Sequence, residues 1–219
     1  MPEIRRSADR YVTESPDVTT FHSFSYGAHY DPQNVGFGPL IAINEENVAP
    51  GAGYDAHRHA DVEIVTWVLE GALDHEDTTG HRGTIRPGTA QRLSAGTGVE
   101  HAERNASATE PLRFVQMMLA SEHLDEPDYD SVDVSPEPGV LTPAVSVSAP
   151  AELFVLHLDA GQSVTVPGAP RSLVHVTTGS ISLDGETLEA GDEARLTDGA
   201  AYDLSASGPA DALIWQVTR

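Results

Sequence analysis

Two histidines separated by one residue, His57 and His59, are answered downstream by His101 and Glu103 at the same spacing, and this pairing restricts the fold more tightly than any other stretch of the chain. The first pair sits in Gly51-Ala52-Gly53-Tyr54-Asp55-Ala56-His57-Arg58-His59-Ala60-Asp61-Val62-Glu63, ahead of the apolar run Ile64-Val65-Thr66-Trp67-Val68-Leu69. The second lies in Gly96-Thr97-Gly98-Val99-Glu100-His101-Ala102-Glu103-Arg104-Asn105. Both read as strands, where side chains two residues apart share a face, so the members of each pair point together. Four metal-ligand side chains can then converge between two strands.

The donor set has a definite chemistry. Imidazoles and a carboxylate, in a chain with no cysteine to supply a thiolate, favour a borderline divalent ion: iron, manganese, nickel, cobalt, copper or zinc. Three histidines and one carboxylate leave two positions open on an octahedral ion. Open positions suit substrate or dioxygen chemistry, whereas a closed tetrahedral site would be structural.

Composition removes several other functions. The absence of cysteine excludes disulfides, thiolate catalysis and zinc-cysteine sites. All 12 basic residues are arginine, which excludes lysine Schiff-base chemistry, and they face 34 acidic residues. A net charge of -22 repels nucleic acid and anionic membrane surfaces, so no direct nucleic-acid binding is expected. No stretch has the pattern of a signal peptide or is apolar enough to span a bilayer, and a soluble cytoplasmic protein is the expectation.

Along the chain, Met1 to Pro16 is polar and reads as an exposed lead-in with little order of its own. Val18 to Tyr26 alternates as a strand, with His22 as a half-buried strand histidine; Leu40 to Asn44 is another, after the bend Gly36-Phe37-Gly38-Pro39. The turn Asp77-Thr78-Thr79-Gly80 joins a hairpin whose flanking His75 and His81 are expected to be exposed. Leu112 to Ala120 is apolar enough to be a core strand. Short strands at regular spacing, with almost no helical periodicity, predict an antiparallel sandwich or small barrel. Ser121 to Gly139, rich in Asp, Glu, Ser and Pro, reads as a linker, with His123 on its surface.

Beyond it the first half repeats in weakened form. Leu173-Val174-His175-Val176-Thr177-Thr178-Gly179 lies on Val65-Thr66-Trp67-Val68-Leu69-Glu70-Gly71, and Ala190-Gly191 on Pro87-Gly88. In that alignment His57 and His59 become Thr165 and Pro167, while His101 and Glu103 become Leu204 and Ala206, so the second copy keeps no ligands. His157 and His175 read as core or face histidines.

These motifs also carry a resemblance. Gly51, His57-x-His59 and Glu63 resemble the first cupin motif, although Gly71 falls one residue late, and His101 with Asn105 resembles the end of the second. Phe21-His22-Ser23-Phe24-Ser25-Tyr26-Gly27, Tyr30-Asp31-Pro32, Gly36-Phe37-Gly38-Pro39-Leu40, the run from Glu63 to Gly71, His75-Glu76-Asp77 and Ser94 to Glu103 are similar to the pirin family. Arg58 stands where many pirins have proline.

The resemblance implies an all-β bicupin of two antiparallel β-barrels: a metal-binding N-terminal barrel over residues 1–122, a linker over 123–139 and a metal-free barrel over 140–219. It implies one divalent metal, iron first, held by His57, His59, His101 and Glu103. Glu63 sits where other cupins place their carboxylate ligand; the pirin pattern favours Glu103 and leaves Glu63 to orient a ligand histidine. Two functions follow from it. One is metal-dependent cleavage of a small aromatic, flavonol-like substrate such as quercetin by dioxygen with loss of carbon monoxide, the substrate hydroxyl being acidified at the metal and its proton passing to Glu103 first or Glu63 second. The other is a non-enzymatic, metal- or redox-sensing regulator acting through a protein partner, either a metabolic enzyme or a transcription factor.

Overall fold

Alternating β-branched, aromatic and polar residues, cut at short intervals by Gly, Pro and Asp, leave this chain little choice but strands. The structure, a computed structural model, describes residues 1–121 and 125–219. The expected surface position of His123 and the boundary placed at residues 122 and 123 therefore lie outside the described residues. Strand β1 (Glu3–Arg5) comes first, followed by a 3₁₀ turn at Ser7–Asp9, and the remaining elements are strands.

The first unit comprises residues 11–133 with 147–149. It holds β2 (Tyr11–Glu14), β3 (Val18–His22), β4 (Leu40–Val48), β5 (Gly53–His59), β6 (Val62–Glu70), β7 (Leu73–Asp77), β8 (Arg82–Ile85), β9 (Thr89–Ser94), β10 (Val99–Asn105), β11 (Leu112–Ala120) and β12 (Asp128–Asp133). A seven-stranded sheet runs β12-β9-β6-β11-β4-β3-β2 and a four-stranded one β5-β10-β7-β8. Every pairing is antiparallel.

Register fixes what lies between these sheets. His22 pairs with Asn44, Asn44 with Gln116, Gln116 with Thr66, and Thr66 with Gln91, which makes one polar row across five strands of the larger sheet. Apolar side chains close it on both sides. Ala42, Met118, Ile64 and Leu93 form one cluster with Ala95 and Val99; Val48, Val68, Leu112 and Phe114 form the other with Leu73 and Ile85 of the smaller sheet. Burying each such large side chain contributes about 1.5–3 kcal/mol, so the apolar flanks hold the sheets together while the row between them is left to polar chemistry.

The second unit comprises residues 1–10, 134–146 and 150–219. It holds β1 with β13 (Thr142–Pro143), β14 (Ala151–Leu158), β15 (Ser163–Val166), β16 (Arg171–Thr178), β17 (Ser180–Leu183), β18 (Glu186–Glu189), β19 (Glu193–Leu196), β20 (Tyr202–Ser205) and β21 (Ala210–Val217). Its sheets run β1-β19-β16-β21-β14-β13 and β15-β20-β17-β18, around one apolar cluster that includes Val174, Ile181, Leu204 and Ile214. The all-β, two-unit expectation holds, with each unit a sandwich of two sheets rather than a closed barrel.

Two segments depart from the reading of the sequence. The N-terminal lead-in is ordered: Ile4 packs on the second unit's core, β1 pairs with β19, and Arg6 donates to Asp192 at 2.8 Å. The segment read as a linker contains β12, whose backbone pairs with β9 from Asp128↔Ser94 to Asp133↔Thr89. Its acidic side chains stay exposed on an edge strand, while Tyr129 turns inward against the rings of His75 and His81.

Candidate metal centre

The smaller sheet of the first unit carries the site on its inner face. His101 on β10 lies opposite His57 on β5, and Val99 lies opposite His59. Between His101 and Glu103 the register slips, so that Glu103 faces Tyr54. This bulge draws β5 against β10: Gly53 sits at φ 152°, where a Cβ would lie 2.2 Å from the Glu103 carbonyl oxygen, so only glycine fits.

The three imidazoles crowd one another. Ring centroids are 4.9 Å apart for His57 and His59, 4.5 Å for His57 and His101, and 5.1 Å for His59 and His101. Their ligand nitrogens lie within 4.8 Å of one another, and a second group within the same limit joins His101 to Glu103 and His75. The structure thus brings His57, His59, His101 and Glu103 to one face.

Several polar atoms there have no protein partner. His59 Nε2, both nitrogens of His101 and Glu103 Oε1 are buried without a hydrogen bond, a costly state that a bound cation relieves. His57 Nδ1–H donates to the Asp55 carbonyl at 2.8 Å, which leaves Nε2 with its lone pair toward the cluster. Burial, then the neighbouring His57 and His59, push the His101 imidazole down to about 3, so it stays neutral and able to ligate. Burial raises the Glu103 carboxyl to about 7, against the amide of Gln116, which donates to Oε2 at 2.8 Å. These residues fit a divalent metal with nitrogen and oxygen ligands.

Glu63 is placed elsewhere. It is fully buried, and its carboxylate accepts the backbone N–H of Ser148 at 2.9 Å and of Ala149 at 3.0 Å, with Arg92 at 3.6 Å. It holds the returning segment 147–149 and is absent from the ligand groups. Neither a ligand role nor proton transfer fits a carboxylate committed in this way.

Three residues matter more than the sequence suggested. His75, expected to be exposed, is 2 % exposed and its ring centroid lies 5.4 Å from that of His101, because β7 alternates with Leu73, His75 and Asp77 inward. Asp77 accepts from its Nε2 at 3.2 Å. His22 is buried too, with Nδ1 at 2.9 Å from Asn44 and Nε2 at 2.8 Å from Thr13. Gln116 is the third, and its inward position follows from the polar row.

A cavity of about 450 Å³ opens on the cluster, lined by His57, His59, Tyr54 and Glu103 of the smaller sheet and by His22, Asn44, Glu46 and Gln116 of the larger one, together with Tyr26. Among the described residues the second unit has no comparable group: Leu204 and Ala206 are buried apolar residues, and His175 and His157 lie beside Glu193 and Asp211. No helix of the described residues is long and apolar enough to cross a membrane.

Comparison with known proteins agrees with this architecture. A putative quercetin 2,3-dioxygenase of Mycobacterium tuberculosis (strain ATCC 25618 / H37Rv) is 41% identical over 98% of this chain and 94% of the relative. The quercetin 2,3-dioxygenase of Escherichia coli (strain K12) is 28% identical over 98% of this chain and 97% of its own. The crystal structure of YhhW from Escherichia coli superposes with a TM-score of 0.95 at 27% identity, covering 99% of this chain and 97% of that one. The bacterial pirin YhhW in complex with nickel(II) superposes at 0.93 and 26% identity, covering 100% and 99%. A quercetinase C-terminal cupin domain profile matches residues 134–217, and with the Pirin profile matching residues 5–119, over half of the sequence, the chain belongs to the pirin family.

Proposed function

We propose that this protein is a metal-dependent oxygenase that cleaves flavonols such as quercetin with dioxygen. The observation that carries the reading is the cavity: at about 450 Å³ it is of small-molecule size, and its lining combines members of the ligand cluster with aromatic and hydroxyl-bearing side chains. The relatives named as quercetin 2,3-dioxygenases support it.

His57, His59, His101 and Glu103 are the proposed ligands of one divalent ion, with iron the first candidate and nickel the next to test. Bound there, the ion would supply Lewis acidity toward a substrate hydroxyl and promote the substrate's reaction with dioxygen. The protein supplies the rest. Gln116 fixes the Glu103 carboxylate, and Asp55 fixes the tautomer of His57. His22, stacked on Tyr26 with centroids 5.0 Å apart, offers a flat aromatic wall suited to a planar ligand. Met118 adds an apolar, adaptable surface to the same cavity.

The test is loss of quercetin absorbance in air by metal-free protein reloaded separately with iron, manganese, cobalt, nickel, copper and zinc, with His101→Ala as control. Turnover that requires metal and disappears in the control is the expected result. Stoichiometric metal without turnover for any ion would overturn the enzymatic reading and favour the metal-sensing one.

A further inference from the structure

The cavity contains a second buried carboxylate. Strand parity on β4 sends adjacent glutamates to opposite faces: Glu45 receives the guanidinium of Arg113 at 2.8 Å, whereas Glu46 turns into the cavity. Glu46 is only 3 % exposed, and its Oε2 accepts the hydroxyl of Thr20 at 2.6 Å and that of Tyr54 at 2.7 Å. Both distances are those of hydrogen bonds to a charged acceptor. The acids that line the cavity are Glu46, Asp55 and Glu103. Asp55 is exposed and tied to Arg104, so the buried carboxylates of the cavity are Glu46 and Glu103.

Glu103 is a poor choice to receive a substrate proton. Its Oε2 already accepts from Gln116, and its Oε1 is the buried, unpartnered oxygen left to a metal at the ligand cluster. With Oε1 committed to a metal, neither oxygen stands free. Glu46 faces the same space from the larger sheet, and its Oε2 is held by the hydroxyls of Thr20 and Tyr54.

We propose that Glu46 is the catalytic carboxylate that takes the proton from the substrate hydroxyl, with Thr20 and Tyr54 as the residues that position it. The step breaks the flavonol O–H bond, leaves its electron pair on the flavonol oxygen, and forms an O–H bond on Glu46. No other reactant is required. The inference rests on the flavonol reading and assigns a residue within it.

The experiment uses metal-loaded protein and quercetin, first without oxygen and then in air. Ionisation of the flavonol hydroxyl moves its absorption band to longer wavelength, so the spectrum of bound quercetin reports the proton transfer separately from turnover. Wild-type protein is expected to bind quercetin with the shifted band. Glu46→Gln is expected to keep its metal and its affinity for quercetin, to show the unshifted band, and to lose about 100-fold or more in turnover. Glu46→Asp, which keeps the carboxylate one methylene further back, is expected to recover the shifted band with reduced turnover. A shifted band and full turnover in Glu46→Gln would overturn the assignment while leaving the flavonol reading intact. Failure of metal-loaded wild-type protein to bind or turn over quercetin overturns both, and the wild-type arm alone distinguishes that case.

Discussion

Gln116 Nε2 donates to Glu103 Oε2 across 2.8 Å, from the larger sheet of the first unit to the smaller. The bond orients the one carboxylate among the proposed ligands and leaves its Oε1 without a protein partner. Partners of this kind typically contribute about 10- to 100-fold to metal affinity. Gln116→Met, similar in volume and unable to donate, is expected to weaken metal binding by about that factor while leaving the fold intact. Competition against a chelator of known affinity measures it. Unchanged affinity would mean that Gln116 serves the cavity wall and not the ligand set.

A metal that binds the folded chain and not the unfolded one adds to stability by mass action. At free metal about 100 times Kd the gain is about 2.7 kcal/mol, or roughly 5–10 °C in Tm for a chain of this size. His101→Ala removes the histidine that lies within reach of both His57 and Glu103, and it should abolish the metal-dependent rise whatever it does to the baseline. Thermal scans of both proteins with and without metal decide this. A rise of equal size in the variant would remove His101 from the ligand set.

How much of this was legible depends on the range of each signal. The pairs His57/His59 and His101/Glu103 could be read because strand parity is local, and the chain folds them onto one face. Parity could not place Glu63, because Asp61, at φ 60°, turns the chain between β5 and β6, and faces counted across a turn do not correspond. His75 was misread because its direction is set by the packing of the β7–β8 hairpin, which brings Leu73 and Ile85 into the core. The pairing of Glu3–Arg5 with Glu193–Arg195 joins segments far apart in the chain, and nothing local announces it. Acidic β12 looked like a linker because its side chains obey solvent while its backbone obeys the sheet.

Glu63 offers a direct contrast with the ligands. Its buried carboxylate satisfies two backbone N–H groups in the segment 147–149. In Glu63→Gln one oxygen becomes an NH₂ group that faces donors, and Arg92 loses a charge partner. A loss of about 2 kcal/mol in stability is expected, with metal content unchanged. Urea unfolding and metal analysis of the same sample check both parts. Loss of metal without loss of stability would restore Glu63 to the site.

The second unit should show its own acid sensitivity. Glu193 is buried between His175, at 3.3 Å from Oε1, and Arg195, at 3.3 Å from Oε2. Burial alone would raise its carboxyl; the hydrogen bond and charge of His175, with the charges of Arg195 and Arg10, outweigh burial and hold it at about 2, below its ordinary value of 4.5. A carboxyl depressed on folding contributes stability that is fully present above its unfolded value and is lost as pH falls through its folded value. The contribution, on the order of 3 kcal/mol, should therefore be complete above about pH 4.5 and disappear toward pH 2. Glu193→Gln should be less stable than wild type at pH 7, with the gap closing across that window because the wild-type carboxyl itself becomes neutral there. Urea midpoints of both proteins between pH 7 and pH 2 measure the gap. A gap that stays constant with pH would mean that shape and hydrogen bonding, and not the charge of Glu193, hold this network together.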